Sequence, residues 1–228
     1  MSAYYFHGLP GGPEKLEIVP EVSLTAVPWL KGAMPRGAGL HLVGFSLGAR
    51  RALAVAAAQE AARVDLIAPA APLALGNFLP HMAGRAVFEA AQRGGWALRS
   101  LVLGQNLASR VGPEWLISQM FKGAQGAEVE LAADPEFRGI FKQMLQRCIG
   151  IERSAYKNAL RAAVAPWQGL LLRVTCSVTL WHGTDDTWAP LAMSEALSAA
   201  LPKTELRRLP GLGHYSALKA ALTQVAPA

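Results

Sequence analysis

The tightest constraint in this chain is a five-residue turn held between an apolar strand and a helix. Leu40-His41-Leu42-Val43 is a short, mostly apolar run of the kind that forms a strand buried on both faces of a parallel sheet. It runs into Gly44-Phe45-Ser46-Leu47-Gly48, and Ala49 to Arg63 follows as a stretch of good helix formers. Val64-Asp65-Leu66-Ile67-Ala68 reads as a second buried strand, ended by Pro69. Strand, helix and strand with short joints predict a parallel βαβ unit, and so an α/β fold.

A G-x-S-x-G pattern alone also fits a tight turn with Ser as a helix N-cap. Its setting decides between the two readings. A serine on a sharp turn from strand to helix has its hydroxyl presented at the sheet edge, and the helix points its positive end at the same place. Such a turn brings the backbone on either side too close for Cβ atoms, which accounts for both glycines. Ser46 is therefore the candidate nucleophile.

The rest of the chain supplies more of the same layers. Ala3 to His7 predicts a first strand, Leu16 to Val19 a second short one, and the Pro- and Gly-broken run from Pro20 to Gly39 at most a short helix. Gly76 to about Trp167 has helix-like stretches and no convincing parallel strand. Val174–Trp181 then predicts a strand, Ala192–Leu201 a helix, Glu205–Leu209 a strand and Ser216–Val225 a final helix. The expected organisation is a core of residues 1–75 and 168–228, with 76–167 as a helical insertion.

Composition narrows the partners. Hydrophobic residues make up 52% and charged residues 17%, enough for a sizeable core and against disorder. A net charge of +6 favours anionic partners in general, but no basic run, zinc-ligand spacing or ribonucleoprotein-type motif points to nucleic acid. No apolar stretch reaches the roughly 18 residues that span a bilayer. The N-terminus lacks a basic head followed by an apolar stretch, and Cys148 and Cys176 are too few for a disulfide framework. The expectation is a cytoplasmic protein with no membrane span.

A serine hydroxyl attacks only if a base takes its proton and a third group orients that base. Of His7, His41, His81, His182 and His214, the last lies in the Gly-rich loop 209–214, which can swing a side chain over the carboxyl ends of the strands. His182 ends a strand and reads as structural, His41 sits within a strand, and His81 falls in the insertion. For the orienting carboxylate, Asp185 and Asp186 stand side by side after the strand ending near Trp181, one as the acid and the other as a loop or helix cap.

With these residues in this order, the sequence resembles the α/β-hydrolase superfamily. The resemblance rests on His7-Gly8 after the first strand, the Ser46 turn, Gly183-x-x-Asp186-x-x-x-Pro190 and Gly213-His214, and it covers residues 1–75 and roughly 168–228. It implies an α/β-hydrolase fold, a mostly parallel sheet of about six strands with a helical cap insertion. It selects Asp186 over Asp185 and implies no metal or cofactor. The N–H groups of Leu47 and Leu9 become the expected oxyanion hole, since Pro10 cannot donate. Phe45 and His7, beside those donors, are candidates for touching substrate. Relatives usually carry two further antiparallel strands before the His-Gly strand, so a trimmed core and a homo-oligomer covering a sheet edge are expected.

The insertion lies where relatives carry a cap, and it is basic in its later part: Arg138, Lys142, Arg147, Arg153, Lys157 and Arg161. Arg153, Lys157 and Arg161 form one stripe if helical. The stripe reads as a solvated face or as an anion-reading surface for an acyl carrier protein. In the latter respect the chain resembles the pimeloyl-carrier methyl-ester esterases. Phe78, Leu79, Met82, Trp96, Trp115, Met120, Phe121 and Trp167 are candidates for core or acyl pocket.

The leading expectation is a hydrolase of a small or medium carboxylic ester or thioester, a small-molecule substrate, through an acyl-enzyme. The alternatives are a carbon–carbon bond hydrolase on a dienoic acid, with cap arginines on its carboxylate, and a non-catalytic binding protein on a hydrolase scaffold.

Overall fold

Six parallel strands form one sheet in the computed structural model, which describes residues 2–19, 22–29 and 34–225. They are β1 (Ala3–Phe6), β2 (Thr25–Ala26), β3 (Leu40–Phe45), β4 (Ala61–Ile67), β5 (Ser177–Gly183) and β6 (Thr204–Leu209), in the order β2-β1-β3-β4-β5-β6. β3 is buried along its whole length, because β1 and β4 flank it and helices cover the sheet. Tyr5 pairs with Val43, Phe45 with Ile67, and Ile67 with Trp181. Since every strand points the same way, the loops leaving β1, β3, β5 and β6 open on one edge, where open α/β sheets bind ligands.

α1 (Gly48–Ala58) buries Ala49, Ala52, Leu53, Val55 and Ala56. Ala61–Arg63, expected in this helix, belong to β4 instead. Gln59 is extended, Gly39 N–H donates to Glu60 O, and β3 pairs Leu40 with Ala61 and His41 with Arg63. Neighbouring backbone overrides the helical preference of the Ala-rich stretch.

The strand expected at Leu16–Val19 is also corrected. Pro13–Ile18 forms a 3₁₀ helix, with Pro13 at its first turn, where a missing N–H costs nothing. Within the run 20–39 lies a strand the sequence hides, Thr25–Ala26, pairing with Tyr4 and Tyr5. Positions 20–21 and 30–33 of that run, where part of the expected short helix would fall, lie outside the described residues.

Between β4 and β5 the chain is helical: α2 (Arg85–Arg93), α3 (Gly95–Val111), α4 (Pro113–Met120), α5 (Ala127–Ala133), α6 (Pro135–Leu145) and α7 (Arg153–Val164). A π turn, Gln146–Ile151, joins α6 to α7, and a 3₁₀ helix, Gln168–Arg173, precedes β5. Asp134 caps α6, accepting the Glu136 N–H at 3.0 Å. α8 (Leu191–Ala200) and α9 (His214–Val225) complete the fold. Among the described residues no helix is long and apolar enough to cross a membrane.

Candidate active site

Ser46 stands where β3 turns into α1, with φ at +54°, a region that side-chain-bearing residues rarely occupy. Neighbours hold it there. Its N–H donates to Ile67 O at 3.0 Å, and its carbonyl accepts from Ala49 N–H at 3.1 Å and Ala70 N–H at 3.2 Å. A Cβ at Gly44 would come within 2.8 Å of the Ala49 Cα, and one at Gly48 would strike the Phe6 carbonyl. The exit of β1 is equally close, since a Cβ at Gly8 would sit 2.5 Å from the Ser46 Cβ. The strain at Ser46 is thus maintained by packing on three sides.

Across the sheet edge, Asp186 and His214 form a buried pair. Asp186 Oδ2 accepts from His214 Nδ1 at 2.7 Å, and Oδ1 accepts the N–H groups of Trp188 and Ala189 at 2.8 and 2.9 Å. Burial works to raise the Asp186 carboxyl pKa. The charge and hydrogen bond of His214, with His182 beside them, overcome it and hold the group well below the usual carboxylate range. An ionised carboxylate only accepts, so the proton of His214 is on Nδ1 and Nε2 is left as the basic nitrogen. The imidazole packs 4.7 Å from the Phe45 ring, and Trp188 stacks on it, centroids 5.6 Å apart.

The competing residues are held in other pairings, although His182 Nε2 also lies 3.4 Å from Asp186 Oδ2. Asp185 accepts from the Thr184 hydroxyl at 2.9 Å. His182 is fully buried, its Nε2 2.7 Å from Ala189 O and its Nδ1 2.6 Å from the Ser194 hydroxyl. His41 pairs with the buried Asp65 at 2.7 Å on β3 and β4, well before the carboxyl ends.

A cavity of about 200 Å³ opens over Ser46. Leu9 and Leu47 line it, and neither N–H makes a hydrogen bond among the described residues, as oxyanion donors require. Met82, Val87, Phe88, Met120 and Leu160 give apolar walls, while Gln105, Gln119 and Tyr156 are the polar ones. Tyr156 donates to Gln105 Oε1 at 3.1 Å, and burial pushes its phenol pKa up. No charged side chain lines the cavity among the described residues. The Ser46 hydroxyl borders this space without a side-chain partner among the described residues.

Neither Phe45 nor His7 lines the cavity. Phe45 is fully buried beneath His214, and His7 is buried against Trp29, whose indole N–H donates toward it at 3.1 Å. Of the apolar insertion residues singled out above, Met82 and Met120 line the cavity, whereas Phe78, Phe121 and Trp167 are core and Trp96 and Trp115 are exposed. Sequence reasoning missed Gln105, Tyr156 and Trp188. For Trp188 the signal was its position two residues after Asp186. In the basic stretch, Arg138 pairs with Glu114 at 2.8 Å and Arg147 pairs with Glu14, while Arg153 and Arg161 on α7 face solvent.

Known proteins share this fold. The chain is similar in structure to a thermophilic esterase from Thermogutta terrifontis, with 17% identity and a TM-score of 0.64, over 99% of this chain and 86% of that one. It is also similar to a putative lipase from Acinetobacter baumannii, with 14% identity and a TM-score of 0.66, over 98% and 80%. A bromoperoxidase from Bacillus anthracis matches at 12% identity and a TM-score of 0.63, over 98% and 91%. No curated protein matches the sequence. The sequence model described as the alpha/beta hydrolase family matches residues 7–228, so the chain belongs to that family.

Proposed function

We propose that this hydrolase cleaves a neutral carboxylic ester or thioester of small or medium acyl length through a serine acyl-enzyme. One observation carries the reading: a strained Ser46 borders an uncharged cavity and follows Phe45, whose ring packs 4.7 Å from the Asp186-paired His214. His214 Nε2 takes the Ser46 proton as Oγ attacks the acyl carbon. The Ser46–His214 hydrogen bond closes with substrate bound, as catalytic hydrogen bonds commonly tighten in the complex. The N–H groups of Leu9 and Leu47 hold the oxyanion, each worth about 2.7–4 kcal/mol. His214 then protonates the leaving alcohol or thiol, activates water, and the acid departs.

The helical segment 76–167 serves as the cap, because α2, α3, α4 and α7 supply cavity walls over Ser46. Ester chemistry is in keeping with the esterase and lipase structures the chain is similar to. The carbon–carbon alternative needs a cation on the substrate carboxylate, and the uncharged lining gives it no support. The solvent-facing Arg153 and Arg161 keep an acyl carrier as a delivery form to test, by offering one acyl group free and carrier-bound. A fluorophosphonate probe tests the core of the reading. Labelling at Ser46 that Ser46→Ala abolishes is expected; equal or absent labelling in both proteins would leave a binding protein on a hydrolase scaffold.

A further inference from the structure

α9 begins at His214. The preceding residue is Gly213, which offers no side-chain acceptor, and a Cβ there would come within 2.7 Å of the Glu128 Cβ. The cap arrives from α5, 87 residues away. Glu128 Oε1 accepts the Tyr215 N–H at 2.9 Å, and Oε2 accepts the Ser216 N–H and hydroxyl, both at 2.8 Å. The Ser216 hydroxyl in turn accepts the Gly213 N–H at 2.7 Å. The Tyr215 and Ser216 N–H groups are the donors an N-cap side chain normally satisfies, and a carboxylate at a helix N-terminus also meets the positive end of its dipole.

The same stretch of α5 grips the loop before His214. Ala127 N–H donates to Gly211 O at 2.9 Å, and Gly126, with φ at +53°, is pressed against that carbonyl too closely for a Cβ. On the opposite side, Asp185 N–H donates to Leu212 O at 3.0 Å, and Gly183 packs against Leu212 and Gly213. The loop 211–216 is therefore clamped between the acid loop and the insertion. Glu128 is only 2% exposed and all three of its bonds are charge-assisted, so it cannot leave without stranding a buried carboxylate.

We infer that Glu128 is a positioning residue for the hydrolytic reaction. Its carboxylate fixes the backbone of residues 213–216, and through it the imidazole of His214 against Asp186 and toward Ser46. The insertion then does more than cover the site: α5 is part of what holds the base, and any displacement of α5 releases His214. The inference rests on the reading of Ser46 and His214 as nucleophile and base.

The test uses the full chain carrying Glu128→Gln and Glu128→Ala. A displaced base costs turnover more than binding, on the order of 10²-fold for a misplacement near 1 Å. Glu128→Ala is expected to lower kcat about 100-fold with KM within about twofold. Glu128→Gln, which keeps one accepting oxygen, is expected to recover about tenfold of that loss. Fluorophosphonate labelling of Ser46 should slow in the same order. Wild-type kcat in a folded Glu128→Ala protein, or a loss confined to KM, overturns the inference. Should Glu128→Ala not fold, Glu128→Gln is judged by the same criteria.

A second readout does not depend on turnover. The His214 Nδ1 proton shared with Asp186 is followed by proton NMR in folded wild type and Glu128→Gln. Exchange at least tenfold faster in the variant is expected, and unchanged exchange overturns the inference. Absence of Ser46 labelling in wild type counts against the hydrolase reading alone, since the NMR comparison still decides whether Glu128 holds the His214 ring.

Discussion

Trp188 lies flat over His214, ring centroids 5.6 Å apart and planes 9° from parallel, while also lining the cavity over Ser46. In the proposed mechanism His214 takes the Ser46 proton and becomes a cation against an aromatic face, worth roughly 0.5–2 kcal/mol. Trp188→Ala is expected to lower kcat/KM on a neutral aryl ester about tenfold, within that range. Trp188→Phe should keep most of it. Equal losses in the two variants would show that the stack contributes nothing specific.

Asp186 supports two separable expectations. Asp186→Asn removes the acceptor that keeps the His214 proton on Nδ1, and kcat should fall by about 10⁴ with the fold retained. The second concerns stability. The folded carboxyl pKa lies below its unfolded value, near 3.9, so its contribution is complete above about pH 4 and fades as pH falls toward the folded pKa. Thermal melts at pH 7 and pH 3 should therefore show the gap between wild type and Asp186→Asn narrowing in acid. A constant gap would contradict the assignment.

The cavity walls predict substrate charge. With no cation to meet it, a carboxylate at the end of the acyl chain loses its hydration without compensation. A neutral ester should be preferred over its ω-carboxylate counterpart of equal length by at least about 100-fold in kcat/KM, equivalent to roughly 2.7 kcal/mol. Comparable rates for both would move the binding site elsewhere.

Gly8 packs against Ser46, so Gly8→Ala tests the fit of β1 to the Ser46 turn. A methyl group there must push Ser46 or β1 aside, an overpacking cost of about 1–3 kcal/mol. Urea unfolding should show that loss, and labelling of Ser46 in the folded protein should slow. A variant as stable and as reactive as wild type would mean the contact yields freely.

What could be read from the sequence follows from how far each determinant reaches along the chain. The Ser46 turn is local: five residues specify its geometry, and the strand and helix beside it are contiguous. Asp186 and His214 were legible because each follows a strand by a short, glycine-marked loop. Ala61–Arg63 were misread because their strand pairing with β3 is not written in their own composition. Thr25–Ala26 was hidden by its length. Glu128 left no local sign, since its role exists only once α5 meets α9. Tyr156 and Gln105 likewise become cavity walls only through the packing of α7 against α3.

The measurement that reaches the central claim most directly is mass-spectrometric mapping of a fluorophosphonate adduct on wild type, Ser46→Ala and His214→Ala. The account predicts one adduct, on Ser46, absent in Ser46→Ala and slowed by at least about 10³-fold in His214→Ala. An adduct on another residue, or labelling at Ser46 unaffected by loss of His214, would contradict it.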